Sequence, residues 1–126
     1  MAYPAPVKPA SLKPVVWMGD SLVVLRAFPK AVQEEIGYAL YKAQLGEKHE
    51  RAKPLKGFGS GVLEAVSDHR GDTFRAVYTV RLVGKVYVLH AFQKKSKRGI
   101  ATPKSELSLV QQRLKRAMEL HAQQES

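Results

Sequence analysis

The sequence predicts an α+β domain, and three observations carry that expectation. Apolar residues recur at helical spacing through residues 32–43, switch to two-residue alternation from residue 62 to 92, and return to helical spacing from 103 to 118. The expected order is one strand, two helices, three antiparallel strands and a last helix, with helices against one sheet face.

Residues 1–14 carry Pro4, Pro6, Pro9 and Pro14 with little apolar periodicity and read as an extended or disordered arm. Residues 15–119 form a single domain, and 120–126 a C-terminal tail. Val15-Val16-Trp17 starts the sheet. Gly19-Asp20 turns the chain, and Asp20 or Ser21 caps a short helix ending near Phe28. Pro29 suits the first turn of the second helix, where its missing N–H leaves nothing unpaired. Val32, Ile36, Ala39, Leu40 and Ala43 form that helix's stripe, and Gly46 stops it. Residues 47–61, with Pro54 and three glycines, read as a loop.

Val62–Asp68, Thr73–Leu82 and Lys85–Phe92 are the three strands, turning at His69–Asp72 and at Val83-Gly84. Thr102 and Pro103 open the last helix, with Glu106 in its first turn. Leu107, Val110, Leu114, Ala117 and Met118 make its apolar stripe, with Arg113, Lys115 and Arg116 largely off it.

The balance of 21 Lys and Arg against 11 Asp and Glu leaves a formal charge of +10, which favours a polyanionic partner. The charge is clustered: Lys94, Lys95, Lys97 and Arg98 follow a strand directly, and Lys104 comes soon after. Cations held at a strand end can grip phosphates, so RNA is the leading target. The chain has no cysteine, which removes disulfides and thiolate zinc sites. No run reaches the ~20 apolar residues of a membrane span, so a cytoplasmic protein with no membrane partner is expected. Scattered carboxylates and histidines without ligand spacing argue against a metal, and no cofactor is expected.

Strand phasing gives the site a geometry. Either turn at residues 82–85 puts Val77 opposite His90 and Arg75 opposite Phe92. Phe74, Ala76, Tyr78, Tyr87, Leu89 and Ala91 then share the face packed by helices. Arg75, His90 and Lys94 share the opposite, open face. Such a face suits metal-free RNA cleavage, in which a base removes the proton of the 2′-hydroxyl and an acid protonates the leaving 5′-oxygen. Arg75 is the phosphate clamp, because its planar fork can hold two oxygens. Glu64 or Asp68 is read as a salt-bridge partner for it, and Glu64 as such a partner before a general base. Lys94 or Lys95 serves as acid, or as base where neighbouring cations favour the neutral amine. His90 and His69 are further candidates, since histidine titrates closest to neutrality.

Several segments also resemble a known family. They are Lys53-Pro-Leu-Lys-Gly57, Gly61-Val-Leu-Glu64, Phe74-Arg-Ala-Val-Tyr-Thr79, Val86-Tyr-Val-Leu-His-Ala-Phe-Gln-Lys-Lys-Ser96 and Thr102-Pro. Together they resemble the phage-related, HigB-like branch of the RelE/ParE toxin superfamily over roughly residues 13–118. The resemblance implies a RelE-like fold: a small curved antiparallel sheet, two N-terminal helices packed on one face, and a C-terminal helix. It implies a type II toxin that cleaves mRNA in the A site of the translating ribosome. It further implies a cognate helix-turn-helix antitoxin and a toxin–antitoxin hetero-oligomer. Arg75 matches the strand arginine that contacts the scissile phosphate, and Lys94 or Lys95 the basic residue near the last strand's end.

The strand that bears catalytic lysines in RelE reads Val62-Leu-Glu-Ala-Val66 here, and no tyrosine follows the basic segment. Lys56, His69, Arg70 and His90 are therefore substitutes for proton transfer or RNA contact, beside Lys97, Arg98 and Lys104. Two competing readings are a non-catalytic RNA- or ribosome-binding module and a ParE-like inhibitor of DNA gyrase.

Overall fold

The computed structural model describes residues 12–94 and 102–125. The elements are β1 (Val15–Trp17), α1 (Ser21–Arg26), α2 (Lys30–Gln44), β2 (Ala52–Pro54), β3 (Val62–His69), β4 (Asp72–Thr79), β5 (Val86–Lys94) and α3 (Lys104–Glu125). Five strands form one sheet in the order β1-β5-β4-β3-β2. This is the α+β, RelE-like arrangement expected, with two corrections to the sheet. β1 runs parallel to β5, so the sheet is mixed. Ala52–Pro54, inside the segment read as loop, pairs with β3 as an edge strand. Three residues are too few to show a period, and Pro54 is tolerated because an edge strand leaves one side unpaired.

The two faces have separate cores. On one, α1 and α2 bring Leu25, Phe28, Val32, Ile36, Ala39, Leu40 and Ala43 onto Phe74, Ala76, Tyr78, Val88 and Ala91. Each large aliphatic side chain fully buried there contributes about 1.5–3 kcal/mol. On the other face, α3 brings Val110, Leu114 and Ala117 onto Val77, Tyr87, Leu89 and Phe92. Helices therefore cover both faces, and the face expected to be open is in part roofed by α3.

The expected pairs Val77–His90 and Arg75–Phe92 are present, but the route between them differs. β4 ends at Thr79, and the register shifts between Val77 and Tyr78, so that Tyr78 pairs with Val88. Leu89 is the extra residue of a β-bulge, which places it beside His90 on the α3 face. Tyr87 and Leu89 thus join the α3 core, not the face of Phe74 as expected. A bulge is invisible to strict alternation, because one added residue reverses every side chain beyond it.

The β3–β4 hairpin turns through Arg70 (φ 51°) and Gly71 (φ 87°), two left-handed residues that match the twist of paired strands. Pro29 and Pro103 sit one position earlier than expected. Their carbonyls accept from Gln33 (3.0 Å) and from Glu106 and Leu107 (3.1 Å each), which opens α2 and α3. α3 continues through 120–125, the residues read as a tail. Among the described residues no helix is long and apolar enough to cross a membrane.

Candidate functional site

Strand pairing lines up Lys53, Glu64, Val77 and His90 in one row across β2, β3, β4 and β5 on the α3 face. Arg75 and Phe92 form the next row, and Thr73 and Lys94 the one after. Arg75 Nη1 donates to Glu64 Oε1 at 2.6 Å, and the two side chains are only 7% and 4% exposed. The other carboxylate oxygen accepts from Thr102 Oγ1 at 3.1 Å. Thr102, expected as the cap of α3, therefore ties the approach to that helix onto β3.

Arg75 Nε has no hydrogen-bond partner among the described residues. A buried donor left unmade costs about 1–3 kcal/mol, and this one is shielded from solvent. Arg75 and Glu64 are the most buried polar members of a cleft of about 420 Å³. Lys53 and Lys56, both exposed, stand along it, and Pro54, Leu55 and Leu107 supply its apolar lining. Among the described residues three cations face one carboxylate there, which leaves the cleft positive. The loop carrying Lys56 is held by Arg81, whose guanidinium donates to the Ser60 carbonyl (3.0 Å) and to that of Phe58.

His90 lies on the same face but is committed to α3. Arg113 Nη1 donates to His90 Nδ1 (3.0 Å) and to the Leu89 carbonyl (3.1 Å). A guanidinium has no acceptor, so Nδ1 presents its lone pair and the other nitrogen carries the proton. That nitrogen, Nε2, meets Glu106 Oε1 at 2.5 Å. The ring stacks on Phe92, with centroids 5.3 Å apart. Arg113 reaches further, pairing with Asp20 at 2.9 Å. Gly19 makes room for it: a Cβ there would lie 2.6 Å from the guanidinium carbon, and the backbone is left-handed at φ 55°. Both nitrogens of His90 thus have partners that anchor α3 to the sheet.

The structure brings Arg75 and Lys56 into one cleft and places the other described candidates elsewhere. Lys94 is buried at the far end of β5. His69 and Arg70 stand at the β3–β4 hairpin tip, and Lys104 is exposed on the first turn of α3. Lys95, Lys97 and Arg98 lie outside the described residues. Sequence reasoning missed Lys53, because the edge strand that aims it at Glu64 has no periodic signal. It also read Thr102 only as a cap. Of the two carboxylates open as partners of Arg75, the structure selects Glu64, while Asp68 pairs with Arg51 and Thr73.

No curated protein and no solved structure matches the chain. A family model described as phage derived protein Gp49-like (DUF891) matches residues 24–115, a span that takes in every residue lining the cleft. On that match the chain belongs to the phage-derived Gp49-like family, which is associated with the toxins of toxin–antitoxin systems.

Proposed function

We propose that this protein is a toxin acting as a metal-independent endoribonuclease on mRNA in the translating ribosome, restrained by a cognate antitoxin. The observation that carries the reading is the buried Arg75, which lines a cationic cleft beside Glu64, Lys53 and Lys56. A scissile phosphate seated in that cleft would meet the positive charge of the Arg75 guanidinium, with Lys53 and Lys56 close by. Removing one well-placed donor of this kind costs roughly 3–4 kcal/mol in transition-state stabilisation.

Among the described residues lining the cleft, the Glu64 carboxylate is the proton acceptor. We assign it the general base, a role the sequence reading withheld. It takes the 2′-hydroxyl proton, the 2′-oxygen attacks phosphorus, and the bond to the 5′-oxygen breaks. A rim ammonium of Lys53 or Lys56 protonates that leaving oxygen. The products are a 2′,3′-cyclic phosphate and a 5′-hydroxyl. The family's association with toxin–antitoxin systems supports an antitoxin partner.

The 2.6 Å Arg75–Glu64 pair also favours a second reading, a non-catalytic RNA-binding module in which the pair only braces two strands. Translation reactions with primer-extension mapping separate the two. The first reading expects cuts within codons. It also expects Arg75→Ala to lower the cleavage rate about 10²–10³-fold, with ribosome co-sedimentation retained. Equal loss of binding and cleavage, or binding without any cut by the unaltered protein, would establish the second.

A further inference from the structure

Resting on the cleft's reading as an RNA site, we infer that it takes a single unstacked nucleotide, with the phosphate at Arg75 and the base against an apolar wall of Pro54, Leu55 and Leu107. The cleft has two chemically distinct parts. One is ionic: Arg75 beside Lys53 and Lys56. The other is apolar and comes from two elements, Pro54 and Leu55 at the end of β2 and Leu107 in α3. A phosphate alone would use only the first part.

A volume of about 420 Å³ falls in the range of sites for single small ligands. A base still stacked inside a helix exposes only its edges and could not lie flat on such a wall. Enzymes that work on one nucleotide draw its base out and hold it between apolar or aromatic side chains. Pro54 and Leu107 therefore act as positioning residues, which set how one nucleotide of a single strand is held while its phosphate meets Arg75. They favour single-stranded over paired RNA.

The wall is held in place by the fold. Leu55 N donates to the Val62 carbonyl at 2.9 Å, which continues the β2–β3 ladder past Pro54. Leu107 packs on the α3-side core and is fixed by the first turn of the helix.

Calorimetric titration of the full chain with inorganic phosphate, ribose 5-phosphate, UMP and AMP tests the inference without relying on cleavage. Both nucleotides are expected to bind at least about tenfold more tightly than ribose 5-phosphate, as burying roughly 60 Å² of apolar surface would give. Leu107→Ser should remove that difference and leave ribose 5-phosphate binding unchanged, while Leu107→Met should keep it. Pro54→Ser, on the exposed edge strand, should shrink the difference even if Leu107→Ser folds poorly. Equal affinity for nucleotides and ribose 5-phosphate, or a preference untouched by both serine variants, would overturn the inference. Base-dependent binding without any cut on the ribosome would sink the nuclease reading and leave this one standing. Cleavage without base-dependent binding would do the reverse.

Discussion

Arg75 on β4 and Glu64 on β3 are joined by a 2.6 Å ion pair, buried between the sheet and the start of α3. The two are not directly opposite each other. Glu64 pairs with Val77 and Arg75 with Val66, so the contact is a diagonal one across adjacent strands. Such diagonal neighbours are within reach of long side chains.

The pair should show strong coupling in stability. Glu64→Leu or Arg75→Met alone leaves one buried charge without its partner, which costs about 3–5 kcal/mol. The double substitution removes both charges and should lie much closer to the parent protein. Urea unfolding of the four proteins measures this. Additive single and double effects would mean that the pair is effectively hydrated.

Cleavage should depend on Glu64 and far less on His90. Glu64→Gln keeps the shape and removes the base, so the rate should fall about 10²–10⁴-fold. His90→Gln should loosen α3 more than it slows cutting, because both ring nitrogens bond to residues of that helix. Hydrogen exchange should report faster opening at residues 104–113, with the cleavage rate reduced less than about tenfold, below the effect of a general base. A larger loss for His90→Gln than for Glu64→Gln would reverse the two roles.

Tyr78 supplies a pH test independent of function. Its ring is fully buried in the core beneath α2, and its hydroxyl has no hydrogen-bond partner among the described residues. Burial pushes its pKa up to about 12, from an ordinary value of about 10. The unfolded chain therefore loses this proton first as pH rises. The stability owed to the neutral hydroxyl is whole below about pH 10 and is lost as pH climbs through about 12. Tyr78→Phe should match or exceed the parent protein in stability at neutral pH, since it removes an unmet polar group. It should also decline less between pH 10 and 12. Thermal midpoints across that range decide it, and a clear loss at neutral pH would show that the hydroxyl has a partner.

Much of the architecture was legible because it rests on periodicity. The stripe from Val32 to Ala43 and the alternation through β4 place apolar side chains wherever the backbone geometry repeats. Even the pairs Val77–His90 and Arg75–Phe92 follow from counting across the turn. The count came out right although the path did not: the bulge at Leu89 offsets an earlier end to β4, and only the residues between them change face. β2 escaped because its three residues hold no period and its last is a proline.

The candidate site was only partly legible for the same reason. Arg75 stood out as a cation on a strand, and Lys56 as a basic loop residue. That Lys53 and Thr102 would meet Arg75 and Glu64 depends on an edge strand and on the approach to α3, neither of which adjoins β4 in sequence. The basic run after β5 suggested phosphate binding, yet the described cleft is built from β2, β3, β4 and α3.

The sequence by itself determined the order of the helices and of every strand but β2, the positive charge and the placing of Arg75 on a strand, since each follows from local spacing and side-chain chemistry. Tertiary structure decided that α3 would roof the Arg75 face and engage His90, and that an apolar wall would stand beside the cations. Those outcomes depend on how helix stripes distribute between two sheet faces. That distribution is settled by burying both apolar surfaces at once, a property of the whole chain that no single segment displays.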